Sequence, residues 1–314
     1  MMALFQTRTR MAPDVIHTTI EGLLASFYIY VLFLIIRSKA KVFRNAFYTI
    51  FVATGTADVI CLFTTCGVRL SREFALGKEF QNMVLCLLVI SGTASYAHFI
   101  GNMLITINRY SAICLFNRYD SIWTRNKVGA VVAIQYAVSF AASIQIIGAQ
   151  LVYLPNEDGI PIFTGYERQV DMIVMAVYFG VCLICAVVSI ILNARILVEW
   201  KRRPKSVDSQ KHRLHEKGLL TYAVLMFSCS LFMCTLQVIR VIAVSASLDA
   251  LNQLVTKQFF WTNDVMLSIP PLFLLLLSSD LRRELVISFR CYKNRNCVNT
   301  LATHPNNRFN ANKF

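Results

Sequence analysis

The chain has 314 residues, of which 56% are apolar and only 15% charged, and its 31 Lys and Arg against 17 Asp and Glu leave a formal net charge of +14. A soluble domain is about 45–50% apolar and about 25% charged, so the composition argues against a water-soluble enzyme and against a nucleic-acid-binding domain. Positive charge set beside long apolar segments points instead to a membrane.

A helix needs about 20 mostly apolar residues to cross the hydrocarbon. Seven stretches qualify: 15–36, 47–68, 83–107, 128–153, 172–198, 218–244 and 259–277. Each is continuously apolar, without the alternation of a membrane barrel, so the predicted fold is an all-α bundle of seven transmembrane helices. Pro270 and Pro271 remove two backbone donors from the seventh run and should kink it. The first, third and fifth loops and the tail hold 22 basic residues, the opposite face 7, and Arg195 and Arg240 lie inside spans. Basic loops favour the cytoplasm, which predicts an external amino terminus, an uncleaved first span and an internal tail. The sequence holds no glycosylation sequon and no internal repeat, and from Asn294 it is polar and Asn-rich, as in disordered tails.

Charge inside a span costs about 2.5–3.5 kcal/mol and calls for a partner or a purpose. Glu21, Arg240 and Asp264 fall about 6–9 Å below the outer ends of the first, sixth and seventh spans. Equal depth allows an Arg240 salt bridge to Asp264 or Glu21, or a shared ligand pocket; independent snorkelling to the headgroups is the alternative. Asp58 lies near mid-membrane, with Ser91, Ser95 and Ser268 at comparable depth as candidate partners. It is read either as a carboxylate that titrates or holds a cation and biases one conformation, or as protonated interhelical glue. His98 and Asn102, one turn apart, read as core residues without metal-ligand spacing around them.

Five of the ten cysteines, Cys61, Cys182, Cys185, Cys229 and Cys234, fall inside spans as small buried hydrophobes. Cys66 and Cys86 flank the short second loop on the oxidising side, where a disulfide is chemically allowed. Cys291 is a candidate for palmitoylation at the inner surface. Hydrolase, zinc-protease and phosphate-loop motifs are absent, and the seventh span has no Lys for a retinal Schiff base, so neither catalysis nor a cofactor or metal is expected.

Three stretches, FRNAFYTIFVATGTADVI entering the second span, INRYSAI followed by SIWTRNKVG, and SIPPLFLLLLSSDLRREL at the end of the seventh, occur in fixed order across nearly the whole chain. In these the sequence resembles seven-helix G-protein-coupled receptors and, more narrowly, the nematode serpentine chemoreceptors of the Srg superfamily, the Srv and Srg classes in particular. The resemblance implies a plasma-membrane receptor, a sensory cilium included, that takes a small-molecule or pheromone-like ligand between the outer helix halves. Its partners would be a heterotrimeric G protein and membrane lipid, and no nucleic acid. Residues 1–14 would be an extracellular terminus, 15–291 the receptor domain and 292–314 the cytoplasmic tail.

By the same resemblance Arg109 with Tyr110 meets the G protein, Asp58 with Pro270 and Pro271 forms the conformational switch, and 279–289 is an amphipathic eighth helix along the membrane. Asn108 stands where an acid is usual, leaving Glu216 at the base of the sixth span as a substitute restraint on Arg109. The stretch 154–171 has no Cys to tie it to the third helix, and Ile269-Pro270-Pro271-Leu272-Phe273 lacks the usual Tyr. The rival class is a seven-span ligand-gated ion channel of inverted topology, which the distribution of basic residues opposes.

Overall fold

The computed structural model describes the backbone of residues 2–74, 76–155, 161–202, 209–246 and 248–293, and most side chains between residues 15 and 287. Every predicted apolar run forms a helix over most of its length there: α1 (Met2–Arg37), α2 (Ala46–Glu73), α3 (Gln81–Cys114), α5 (Arg125–Ser143), α6 (Arg168–Arg202), α7 (Ser209–Ser245) and α8 (Asp249–Leu277). A one-turn helix α4 (Tyr119–Ile122) precedes α5, and α9 (Ser279–Lys293) follows α8. Among the described residues, seven helices are long and apolar enough to cross a membrane. Helices suit that setting because each satisfies its own backbone hydrogen bonds.

Most helices outrun their apolar stretches, α1, α7 and α8 at their starts and α3 at its end. Apolar length measures the hydrocarbon, not the helix. The fourth span departs the other way. α5 stops at Ser143, a tight turn covers Ile144–Ile146, and Gly148 takes a φ of +80°, a left-handed conformation that other residues rarely adopt. The chain then forms β1 (Leu151–Pro155), paired antiparallel with β2 (Pro161–Tyr166). This hairpin replaces the predicted continuation of the fourth span to residue 153. Leu151 and Phe163 anchor it by packing with Val68 of α2 and Val84 of α3. We call its side of the bundle the hairpin side and the opposite one the basic side.

Local signals set the other boundaries. The Asn45 side chain accepts a bond from the Tyr48 amide at 3.1 Å and caps α2, and the Ser278 hydroxyl accepts from Leu281 N at 3.1 Å as α9 begins. α8 runs through Pro270 and Pro271 without ending. Leu281, fully buried, seats α9 in the core shared by Val31, Ile35, Phe43, Tyr48 and Leu274. A second core joins Tyr96, Phe99, Tyr178, Cys182, Met233 and Met266 across α3, α6, α7 and α8. Ile134, Ile184, Ile191 and Leu276 point outward, as lipid-facing residues do.

Two glycines let α2 and α3 lie close to their neighbours. A Cβ on Gly55 would stand 2.8 Å from Leu32 and 2.9 Å from the Tyr28 ring, and one on Gly101 would stand 2.1 Å from Thr54 Oγ1 and 2.7 Å from Gln135 Nε2. Gln135 also donates to the Ala97 carbonyl at 2.8 Å, so the crowded site is already hydrogen-bonded. Gly101→Val is expected to cost about 1–3 kcal/mol through overpacking, whereas Gly129→Ala inside α5, with nothing within 4 Å of its Cβ, should stabilise the helix by up to about 1 kcal/mol. Thermal unfolding of the purified protein in detergent checks both: a lower midpoint for the first and an equal or higher one for the second.

Candidate functional site

Asp58 sits on α2 about 18 Å from that helix's start at 1.5 Å per residue, fully buried. A carboxylate there cannot reach water, so the protein supplies its donors. Tyr28 of α1 donates its hydroxyl to Oδ2 at 2.5 Å, and His98 of α3 places Nδ1 2.7 Å from Oδ1. Gly55, one turn earlier on α2, makes the room that Tyr28 needs. Asn102 donates to the His98 carbonyl at 2.9 Å and presents the same amide nitrogen to His98 Nε2 at 3.1 Å. Nε2 is then the acceptor, and Nδ1 carries the proton that goes to Asp58. The serines expected around Asp58 serve elsewhere: Ser95 Oγ lies 3.3 Å from Cys61 Sγ and donates to the Ser91 carbonyl, while Ser268 is bonded to the Val265 carbonyl. Depth alone had placed them level with Asp58; helix rotation turns them away.

Toward the hairpin side, Glu21 and Asp264 do come together, but not around Arg240. His17 Nε2 lies 2.6 Å from Asp264 Oδ2 and 3.6 Å from Glu21 Oε1, and its ring stacks on Trp261 at 4.0 Å. Arg69 of α2 pairs closely with Glu21 and at 2.6 Å with Glu73, and also donates to Thr18 at 2.9 Å. One ionic cluster therefore joins α1, α2 and α8. His17, Glu21 and Asp264 each offer one ligand atom, all within 4.8 Å of one another. Arg69 already pairs with the other oxygen of Glu21, so these groups form an ion-pair network in the protein.

Arg240 turns the other way, toward α6, where its Nη2 lies 3.3 Å from Asp171 Oδ1. Of the arrangements that equal depth allowed, the bridge from Arg240 to Asp264 or Glu21 is therefore not the one formed. The Arg240 pair borders a cavity of about 140 Å³ between α2, α3, α6, α7, α8 and the hairpin. Its walls include Tyr96, Tyr166, Tyr178, Phe259, Phe260 and Arg72. Burial raises the Tyr166 phenol above its ordinary value, so its hydroxyl keeps its proton and is available as a donor.

On the basic side a cavity of about 350 Å³ is lined by Arg109, Asn108, Phe47, Tyr48, Tyr119, Pro270, Ser278 and Asp280. Arg109 lies over the Phe47 ring at 5.3 Å, a cation–π contact. Asn108, where an acid is usual, is buried and donates to the Tyr119 hydroxyl at 3.2 Å. Tyr110, next in the chain, is half-buried. Between this cavity and Asp58 runs a narrow gap of about 40 Å³ lined by His98, Asn102, Thr106 and Arg109, with Ser189 and Asn193 opposite. The side chains of Glu216 and Cys291 lie outside the described residues.

Cys66 and Cys86 are free thiols, not the disulfide considered from sequence. Cys66 faces the ionic cluster, with Arg69 Nη2 at 3.8 Å, while Cys86 is exposed. Cys182 meets Cys234 across α6 and α7, sulfur to sulfur at 3.0 Å.

Sequence reasoning missed His17, Tyr28 and Arg69 as site residues and gave His98 no partner. The spacing of His17 and Glu21, four apart on one helix face, was a usable signal. Arg69 had been counted in a loop because the apolar run ended at 68.

Residues 19–291 match the family model for the serpentine type 7TM GPCR chemoreceptor Srv, and the chain belongs to that family. A comparison with curated proteins found no match.

Removing one partner of a buried ion pair leaves the other charge unpaired and costs about 3–5 kcal/mol. Arg69→Met should therefore lower the unfolding midpoint sharply, and adding Glu21→Gln should restore part of the loss. A thermal-unfolding double-mutant cycle measures that coupling, and purely additive effects would show that the two side chains do not depend on each other.

Proposed function

We propose that this Srv-family chain is a chemosensory G-protein-coupled receptor, with the hairpin side outside the cell, a small ligand in the hairpin-side cavity and a heterotrimeric G protein engaged on the basic side. The observation that carries the reading is a polar column on α3. Tyr96 borders the hairpin-side cavity, His98 holds Asp58, Asn102 holds His98, and Arg109 reaches the basic-side cavity. One rigid helix thus touches both cavities and the buried carboxylate between them.

A ligand shifts such a bundle only by binding one arrangement better than another. The cavity walls come from five spans and the hairpin, so changes in spacing between α3, α6, α7 and α8 alter the fit directly. On the basic side, a G-protein segment would displace the Phe47 ring from Arg109 and use the guanidinium's planar donors. The surrounding basic loops attract acidic partner surface and anionic lipid, the latter worth about 1 kcal/mol per charge. Asn108 faces Tyr119 instead of Arg109, so position 108 supplies no ionic restraint, and the Phe47 ring is one contact that holds Arg109.

Arg109→Ala should leave surface expression near wild type and abolish nucleotide exchange on a co-expressed G protein. Paired surface labelling and exchange assays check this; exchange that persists in the variant would remove Arg109 from the coupling role. An epitope tag at Met1 should be accessible in unpermeabilised cells, and a tag reached only after permeabilisation would favour the channel-type topology.

A further inference from the structure

The hairpin-side cavity has a chemical character that the family assignment does not supply. Three buried side-chain atoms without hydrogen-bond partners belong to residues that line it: the Tyr178 hydroxyl, Gln237 Oε1 and Arg240 Nε. Buried polar atoms are normally paired, because an unmade bond costs about 1–3 kcal/mol. Several converging on one cavity mark a place built for a polar guest. Two of the three are able to donate, and Gln237 donates as well if its amide is turned over.

The charge balance decides the sign of the guest. Arg72 and Arg240 both line the cavity, and the carboxylate paired to either there is Asp171, 3.3 Å from Arg240 Nη2. Two guanidiniums against one carboxylate leave an excess positive charge in a poorly solvated space, where charge interactions are strong. A cationic guest would be repelled, and a neutral one would leave the excess unanswered. Apolar and aromatic residues such as Val68, Leu88, Ile146, Phe163, Met175 and Phe259 make up much of the remaining wall, interspersed with Ser and Thr hydroxyls. Size follows from volume. A cavity of about 150 Å³ holds benzene, and this one is about 140 Å³.

We infer that the ligand is a small organic anion, a carboxylate carried on an apolar body about the size of a single ring, its oxygens meeting Arg240, Arg72 and the tyrosine hydroxyls. Arginine's planar donors suit a carboxylate, and the aromatic wall suits the body. This inference rests on the hairpin-side cavity being the ligand site.

The test uses the purified full chain in phosphatidylcholine nanodiscs, with benzoate and hexanoate set against benzamide, hexanamide and hexylamine. The carboxylates should raise the unfolding midpoint in a saturable way, and the amides and the amine should not. Arg240→Gln and, as a second variant that leaves the Asp171 pair intact, Arg72→Gln should each weaken carboxylate binding at least tenfold. Val174→Phe, which fills the cavity, should abolish it. Binding by the amides that Val174→Phe abolishes would overturn the anionic class and keep the cavity as the ligand site. Carboxylate binding that survives Val174→Phe would overturn the cavity itself, and carboxylates that produce no saturable shift would overturn the anionic class.

Discussion

A carboxyl group at the centre of a membrane helix is the constraint around which the rest of this bundle is arranged. Asp58 lies too deep to reach water, and a charged or half-satisfied group there would oppose insertion. The protein answers with two donors from different helices, Tyr28 at 2.5 Å and His98 at 2.7 Å. Those bonds set the rotation of α1 and α3 about α2, because each donor reaches Asp58 from one side only. Gly55 and Gly101 are consequences of the same closeness, since a side chain at either would push the helices apart. Asn102 then fixes which nitrogen of His98 donates. The result is a dense polar centre with cavities on either side, rather than a uniformly apolar core.

Charge is sorted by depth and by partner. Toward the hairpin side the buried charge is paired in the His17–Glu21–Arg69–Asp264 cluster and in the Arg240–Asp171 pair, with Arg72 left over beside the cavity. Toward the basic side charge is abundant and faces the loops. The ionic cluster ties α1 to α2 and α8, whereas the Arg240 pair ties α7 to α6 beside a cavity. Breaking the first would loosen the frame; rearranging the second is compatible with admitting a guest. This division makes one group of charges structural and leaves the other available for recognition.

Much of the fold was legible because apolar run length reports directly on membrane spans, and all seven were found. The hairpin was not, since β1 has only five residues and adjoins an apolar run that a hydropathy reading extends through it. Pairing inside the bundle was legible only by halves. Depth correctly brought Glu21 level with Asp264, but depth carries no rotation, so it left open a bridge from Arg240 to them although Arg240 faces α6. His98 looked solitary because its partner is 40 residues away on another helix. Arg69 looked like loop because α2 continues past its apolar stretch to Glu73. Tyr28 has no sequence signal beyond being a polar-tipped aromatic within a span.

The central claim is that the Asp58 carboxylate, held by Tyr28 and His98, sets the balance between bundle arrangements that the two cavities read. Basal nucleotide exchange on a co-expressed G protein, compared at matched surface levels for wild type, Asp58→Asn, Tyr28→Phe and the double variant, tests it most directly. The account predicts that both single variants move basal exchange in the same direction and that the double moves it no further than the larger single. Basal exchange indistinguishable from wild type in Asp58→Asn, with the protein folded at the surface, would contradict it.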